Sequence, residues 1–524
     1  MIMKMKKAVK LASLALAATT FAGTLAACGG GSSGAVSGVL TINYYDGSYG
    51  NVWLEEAAKE FCKTKEGVTY ELIPDVNNTQ TAATQMKSGK NLSDIYMLNY
   101  GTWVEWVAYG YLEDLSSVYD AEVETSTGKR TIKEYMADDY ENGYYMQRRY
   151  GQGESKPWAM PWAMANIGLV YNENILLATK HTTAKAGAWE VGDTWTAPPE
   201  TVEDLLAYCA DLNANKDENG KAAPITPFVF PAKASHWFKY LIQVWWAQYQ
   251  GVYEENTLNV QEGDGTFYDF WNYETLDVYK QAGIVKGIET VESVFINKAT
   301  AEGEKGSWKN SVANVDSYDV KDAERQFVKG EAAMLIGASF MYNDVVDYMS
   351  DGMVFKMMHM PTIENAAKNA DGTTQKINYF TKEDFWIVPA KAPNKELAKE
   401  FMTFLCSERW LVEFTRRAGS FRPFEYADAV KNDTEFTYNE FAKSVLKIYD
   451  ESDVKLVTSP ANIDPNERTL MSLYKIGSLN VSGRMVWATF MQNMKSNMTA
   501  SALMEKVLKD STKDYNTWKR DLEG

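Results

Sequence analysis

Cysteine is scarce in this chain and histidine scarcer: four and three residues in 524. His181, His236 and His359 are far apart, and none sits in the H-E-x-x-H spacing that places two imidazoles on one helix face. No paired-cysteine zinc signature occurs, so neither a metal nor a cofactor is called for. The Gly-Lys-Ser/Thr loop that cradles nucleotide phosphates is missing as well. Basic residues are too few to balance the acids, 53 against 70, giving a formal charge of −17. A surface of that sign argues against nucleic acid and anionic lipid as partners and mildly disfavours a polyanionic ligand. Beyond the first 28 residues no apolar run reaches the 18 or so needed to span a bilayer. Acids are plentiful enough that a glycosidase-type carboxylate pair survives on composition, but no acid stands in a recognisable catalytic motif.

What is present suits a large extracytoplasmic protein. The chain is 45% hydrophobic and 13% aromatic, and too long for one ordinary core, so two lobes are expected. Its start is a targeting segment: Lys4, Lys6, Lys7 and Lys10, then an apolar, small-residue stretch over 11–27. Leu25-Ala26-Ala27-Cys28 resembles the cleavage box of bacterial lipoproteins, which implies a lipid on Cys28, new N-terminus after removal of 1–27. The GGGSSGAVSG tract at 29–38 reads as a flexible spacer. Cys62, Cys209 and Cys406, an odd number left among apolar neighbours, read as free thiols in the interior.

From there the pattern is strand (39–45, VLTINYY), helix (53–61), strand (68–73), helix (80–87), strand (94–98, DIYML), helix (103–109). Such alternation predicts a parallel sheet with right-handed crossovers and an α/β fold. Ligands of these sheets sit beyond the carboxyl ends of the strands, which puts Tyr45, Asp46, Asn99, Tyr100 and Trp103 beside a cleft.

The most informative stretch is 385–423. Phe385-Trp386-Ile387-Val388 reads as a buried strand stopped by Pro389. Asn394 can cap a helix whose face is Leu397, Phe401, Phe404 and Leu405, with Gly419 and Pro423 marking its end. The run PNKELAKEFMTFL resembles the strand-to-helix return of bacterial extracellular solute-binding proteins, the group that includes maltose-binding protein. Asp94-Ile95 with the GYLEDL run at 110–115, the GLVYN run at 168–172 and FVKGEAAMLIGASF at 327–340 are similar to further elements of that family. The resemblance implies a two-lobe periplasmic-binding-protein-like fold with a hinge and an interlobe cleft. It implies segments 39–160 and 358–415 for the first lobe, and 161–357 with a helical 416–524 for the second. Residues 354–361 would lead back to the first lobe, and 119–153 is read as an insertion.

The resemblance also implies site residues. Asp46 follows the first strand, where the family often has a hydroxyl acceptor; His236 and Trp237 fall in an aromatic loop of the second lobe. Phe340 follows the AAMLIGA strand, and Trp487 falls in the C-terminal helical part. The family's sugar binders carry tryptophan at the position of Phe340 and near Asn99, so the ligand need not be the same. Aromatic rings cover the flat C–H faces of sugars, and Trp162, Trp103, Trp246 and Tyr45 are further candidates. Adjacent Trp245 and Trp246 cannot both point inward on a one-sided helix, so one should face a ligand or partner. Arg422 could grip a carboxylate-bearing sugar, and otherwise closes a helix end. Asn215 to Gly220 matches the start of a calcium loop, but position twelve is Thr226, so a polar turn is the better reading. The function implied is a non-enzymatic, monomeric, membrane-anchored lipoprotein that hands a carbohydrate to the permease of an ATP-driven importer. The alternatives are a surface glycan-binding lipoprotein without transport partner and a secreted glycosidase.

Overall fold

A computed structural model describes residues 38–98, 103–136, 140, 143, 145–217, 219–252, 265–268, 275–456, 464–474, 476 and 482–524. Gly38–Tyr44, Val68–Pro74 and Ile95–Leu98 are strands, and the first pairs in parallel with the other two. The helices Val52–Lys63 and Asn78–Ser88 connect them. The opening strand–helix alternation thus forms the parallel sheet that its pattern predicts.

Two long antiparallel strands, Met160–Asn172 and Ile377–Ile387, run through the middle of the sheet. At about 3.3 Å per residue, 13 residues extend roughly 40 Å. That is enough to serve both lobes. At one end Phe385, Trp386 and Ile387 pair with Ile95–Leu98. At the other, 167–171 pairs with Met334–Ala338, which pairs in turn with Phe228–Val229. Phe355–Met357 pairs with the end of the first long strand, and Val454–Leu456 with the start of the second. The ladder between the long strands shifts register on both sides of Asp384, a bulge that bends the pair.

Buried apolar side chains fall into two clusters. One gathers Trp53, Trp103, Trp162, Phe385, Phe401 and Phe414; the other gathers Trp237, Trp245, Trp246, Phe295, Phe490 and Trp518. Where one strand serves both, period two divides it: Ile167, Leu169 and Tyr171 join the second cluster, Val170 the first.

Several local readings change. The 385–423 stretch holds two helices, Lys395–Leu405 and Glu408–Ala418, broken at Cys406-Ser407; Gly419, at φ 65°, closes the second. Asn394 does not cap with its side chain. Its amide binds the Val39 carbonyl at 3.1 Å and its backbone N–H donates to Asp94 at 2.7 Å, tying the helix start to the first strands. Thr201 does cap its helix, accepting from the Asp204 N–H. Trp245 and Trp246 are both fully buried, against the expectation that one faces outward. Their helix, Phe238–Gln250, is covered by Ala282–Phe295 on one side and Ile377–Ile387 on another, and each indole finds an internal acceptor, the Pro361 carbonyl and Gln281. The insertion contains a hairpin, Glu122–Thr125 with Gly128–Thr131, pinned through Ser126 to Glu408. Cys62, Cys209 and Cys406 are free thiols, the last two buried.

Candidate functional site

The region of interest is where the two core clusters meet. A third passage of chain crosses here: the Phe421 carbonyl accepts from the Met164 N–H at 2.7 Å, and Ser420 Oγ donates to the Met164 carbonyl at 3.1 Å. The Ser339 and Ser420 hydroxyls are 2.6 Å apart, and Ser339 and Asn166 exchange bonds through the Ser339 N–H and the Ser339 Oγ. Only short side chains and backbone participate, so the crossing is fixed without long flexible groups.

Beside it stands an aromatic group built from distant parts of the sequence. Tyr49 lies 5.0 Å from Trp162, 5.0 Å from Phe340 and 5.8 Å from Phe414, ring centre to ring centre. Trp53 meets Phe414 edge-on at 5.0 Å and stacks on Trp162 at 6.2 Å. The turn after the first strand supplies Tyr49, the helix behind it Trp53, the long strand Trp162, and the end of Met334–Ala338 leads into Phe340. Tyr49 donates its hydroxyl to Asp384 Oδ2 at 3.1 Å, at the bulge. Burial first, and then the Asp384 charge, push the Tyr49 hydroxyl well above its usual range, so it stays protonated and remains a donor. Trp162, expected to face a ligand, is buried: its indole N–H goes to the Leu98 carbonyl, 3.0 Å, and Tyr49 and Trp53 pack on its ring.

A second group lies in the other cluster. The 3₁₀ turn Ala232–Trp237 carries His236, half-exposed, and Trp237, buried and 6.2 Å from Tyr240. The helix Trp487–Lys495 packs on this turn; Trp487 opens it, half-exposed, 5.0 Å from Phe490. Phe340 packs against both clusters, as do Val312 and Tyr318.

The other expected residues fall elsewhere. Tyr45 folds over Gly47, and Asp46 is exposed beside it in the turn that also holds Tyr49. Trp103 is sealed inside, 5.1 Å from Phe385. Arg422 is wholly buried: its guanidinium donates to the Leu405 carbonyl and lies over Trp386 and Phe424 at 5.1 and 5.2 Å. It thereby satisfies a helix end instead of lining a groove, and burial lowers its affinity for a proton. Asn99, Tyr100 and Cys28 lie outside the described residues. In the segment read as a polar turn, Asp217 Oδ1 accepts from the N–H groups of Asn219 and Lys221, both 2.9 Å. Among the described residues no three His, Cys, Asp or Glu are grouped as metal ligands. Tyr49, Trp53, Phe414 and Asp384 were not among the sequence candidates. The Asp-Gly-Ser-Tyr-Gly turn after the first strand was a signal for Tyr49; a bulge inside a strand leaves none for Asp384.

With this geometry in place, the comparisons define the class. Residues 56–437 match the family described as bacterial extracellular solute-binding protein, and the chain belongs to that family. A binding protein of Brucella abortus is 22% identical over 382 residues, 72% of this chain and 74% of the relative. Among solved structures, a chitin oligosaccharide binding protein is similar at a TM-score of 0.56 with 15% identity, over 92% of this chain and 99% of the other. The raffinose complex of RafE, a protein of Streptococcus pneumoniae, is similar at 0.53 with 14% identity, over 91% and 99%. The fold is the two-lobe, hinged α/β fold of these binding proteins. No helix among the described residues is long and apolar enough to cross a membrane.

Proposed function

We propose that this protein is the substrate-binding lipoprotein of an ATP-driven importer and that it captures an oligosaccharide outside the cell membrane. The observation that carries the reading is the joined aromatic set at the lobe junction, in a chain whose family binds extracellular solutes. Phe340, His236 and Trp487, all half-exposed, supply ring surface for a sugar to stack on, backed by the buried rings of Tyr49, Trp162 and Trp237. The structural relatives solved with raffinose and named for chitin oligosaccharides support a sugar over a peptide. Trp162, Phe340, Trp237, His236 and Trp487 form the contact set in this proposal, with Asp46 and Tyr45 at its rim. Trp103 and Arg422 support it from inside. Hinge bending brings the lobes onto the solute, and the solute shifts the balance only by its differential affinity for the closed form. The lipid on Cys28 keeps the protein at the membrane, where a permease receives the solute.

The test is a thermal-shift screen against a glycan library, followed by calorimetry, because a ligand of the folded state raises the melting point. Binding of a neutral oligosaccharide without turnover is expected, and Trp487→Ala should weaken it at least about tenfold, ~1.4 kcal/mol. A library that shifts nothing, or hydrolysis of the bound glycan, would overturn the reading. Loss of lipid labelling in Cys28→Ser checks the anchor separately.

A further inference from the structure

Besides the crossing strands, helices connect the two ends of the sheet. The helix Pro465–Leu473 packs on the helix Trp103–Ala108 and the strand Met146–Gln147, and also on the C-terminal helix Ala500–Glu523. The first two neighbours belong to the end built from the opening strands. Trp103–Ala108 follows Ile95–Leu98. Met146–Gln147 pairs with Lys156–Pro157, and the Pro157 carbonyl accepts from the Leu115 N–H at 2.9 Å. The Glu113 N–H in turn donates to the Val388 carbonyl at 2.9 Å, just past the second long strand. The third neighbour belongs to the opposite end: Leu503, Val507 and Trp518 share a cluster with Phe228, Met334 and Ile336, and Leu470 and Met471 join it.

The polar groups of this helix divide the same way. Arg148 donates to Asp464 Oδ1 at 2.6 Å, and the same oxygen caps the helix by accepting from the Asn466 N–H at 2.7 Å. Arg468 donates to the Gly143 carbonyl at 3.3 Å. Thr469 Oγ1 donates to Gln147 Oε1 at 3.1 Å, and both residues are wholly buried. Gln147 is itself held, since its carbonyl accepts the Trp158 indole N–H at 2.7 Å. Beyond the last turn, the Tyr474 hydroxyl donates to Asp521 on the C-terminal helix. The Arg148–Asp464 pair is partly exposed and contributes little alone. The Thr469–Gln147 contact is dry, and a buried oxygen deprived of its donor is costly.

We infer that Pro465–Leu473 is a strap across the lobe junction: it fastens the lobes together, and hinge opening requires it to leave Gln147, Arg148 and Gly143 while staying on the C-terminal helix. The direction of release follows from the contacts. Leu470 and Met471 are committed to the cluster of the C-terminal helix, and Tyr474 is tied to Asp521. The links to the opening end are hydrogen bonds and one ion pair, which water can replace once the helix lifts. The inference rests on the hinged fold and holds whatever the solute is.

The test uses the full chain without solute. Thr469→Val removes the donor and leaves the Gln147 oxygen buried; Arg148→Glu sets two carboxylates against each other; Arg148→Lys keeps the charge. Hydrogen exchange is followed for peptides covering 103–108 and 465–473, with 38–44 as the control. Lobe spacing is followed by electron–electron resonance between spin labels on Lys87→Cys and Lys329→Cys, with Cys28→Ser and Cys62→Ser to keep labelling specific. Lys87 and Lys329 are exposed, on helices that pack on opposite ends of the sheet or just beyond them. Thr469→Val should lower protection of 103–108 and 465–473 at least about fivefold, leave 38–44 within about twofold, and enlarge a longer-distance population by a similar factor. Arg148→Glu should act in the same direction, and Arg148→Lys should match the unaltered protein within about twofold. Unchanged protection and spacing in Thr469→Val overturn the inference. Protection that falls at unchanged spacing overturns it as well, because the helix then frays on a fixed body. Wider spacing with 465–473 still protected overturns it too, because the lobes then part elsewhere. If Thr469→Val loosens 38–44 equally, Arg148→Glu, which alters only a partly exposed pair, decides by the same criteria.

Discussion

The contact between Tyr49 and Phe340 can be measured on its own by a double-mutant cycle. Ring centres 5.0 Å apart at a 60° tilt belong to the range in which aromatic pairs contribute about 0.5–1.5 kcal/mol beyond area burial. Phe340 is half-buried, so Phe340→Ala alone should cost less than the ~3–5 kcal/mol of a fully enclosed phenylalanine, about 2 kcal/mol. Tyr49→Ala should cost more, because it empties the centre of the aromatic group and removes the donor to Asp384. Denaturant unfolding of the two single variants and the double should then show a coupling of about 0.5–1.5 kcal/mol. Tyr49→Phe separates the hydroxyl from the ring: it should weaken stability by about 1–3 kcal/mol through the lost hydrogen bond to the Asp384 carboxyl, yet leave the coupling to Phe340 intact. Calorimetry with the bound sugar completes the set, with Phe340→Ala weakening affinity at least about tenfold. A coupling below about 0.3 kcal/mol would refute the contribution of this pair, and an unchanged affinity in Phe340→Ala would remove Phe340 from the proposed site.

Arg422→Leu should lower stability by about 1–3 kcal/mol, since the Leu405 carbonyl loses its buried donor, and leave the dissociation constant of the folded protein within about twofold; a large affinity loss by calorimetry would return Arg422 to the site. Gly287→Ala should destabilise by about 1–3 kcal/mol, because a Cβ there would stand 2.4 Å from the Ile242 carbonyl oxygen where two helices pack; an unchanged melting midpoint would show that the helices separate easily. His359 binds its proton less readily in the folded state because of burial, so its contribution to stability is lost as pH falls through the ordinary imidazole range. His359→Asn should flatten the melting profile between pH 7 and pH 5, and a parallel profile would assign that slope to other groups.

The opening strands and helices were legible because their cause is local. The alternation of VLTINYY and the spacing of Trp53, Ala57 and Phe61 fix one buried face each, and the elements end within a residue or two of where the pattern stops. Thr201 was legible for the same reason, a short side chain facing its own helix start. Asn394 was not: nothing nearby shows that its amide is taken by Val39, more than three hundred positions earlier. Trp245 and Trp246 misled because the outward-facing rule assumes one covered side, and coverage from several directions is decided by distant segments. For the candidate site, motif resemblance pointed to Phe340 and Trp487. It passed over Tyr49 and Asp384, which gain meaning only from what the fold lays beside them.

That difference bears on how such a site divides its work. Tyr49 and Trp162 belong to the first core cluster, and Trp237 and Phe490, behind Trp487, belong to the second. Phe340 alone among the proposed contacts touches both. In the proposed site Trp487 packs within one cluster only, so truncating it removes ring surface there and leaves the other cluster untouched. Truncating Phe340 removes ring surface from both clusters at once. The Ser339–Ser420 hydroxyl pair, one residue earlier, fixes the backbone from which Phe340 projects, so the ring's position follows the crossing strands and not a mobile loop. Under the proposed function, a residue that packs on both clusters and also meets the solute would make closure depend on what is bound, as differential binding requires.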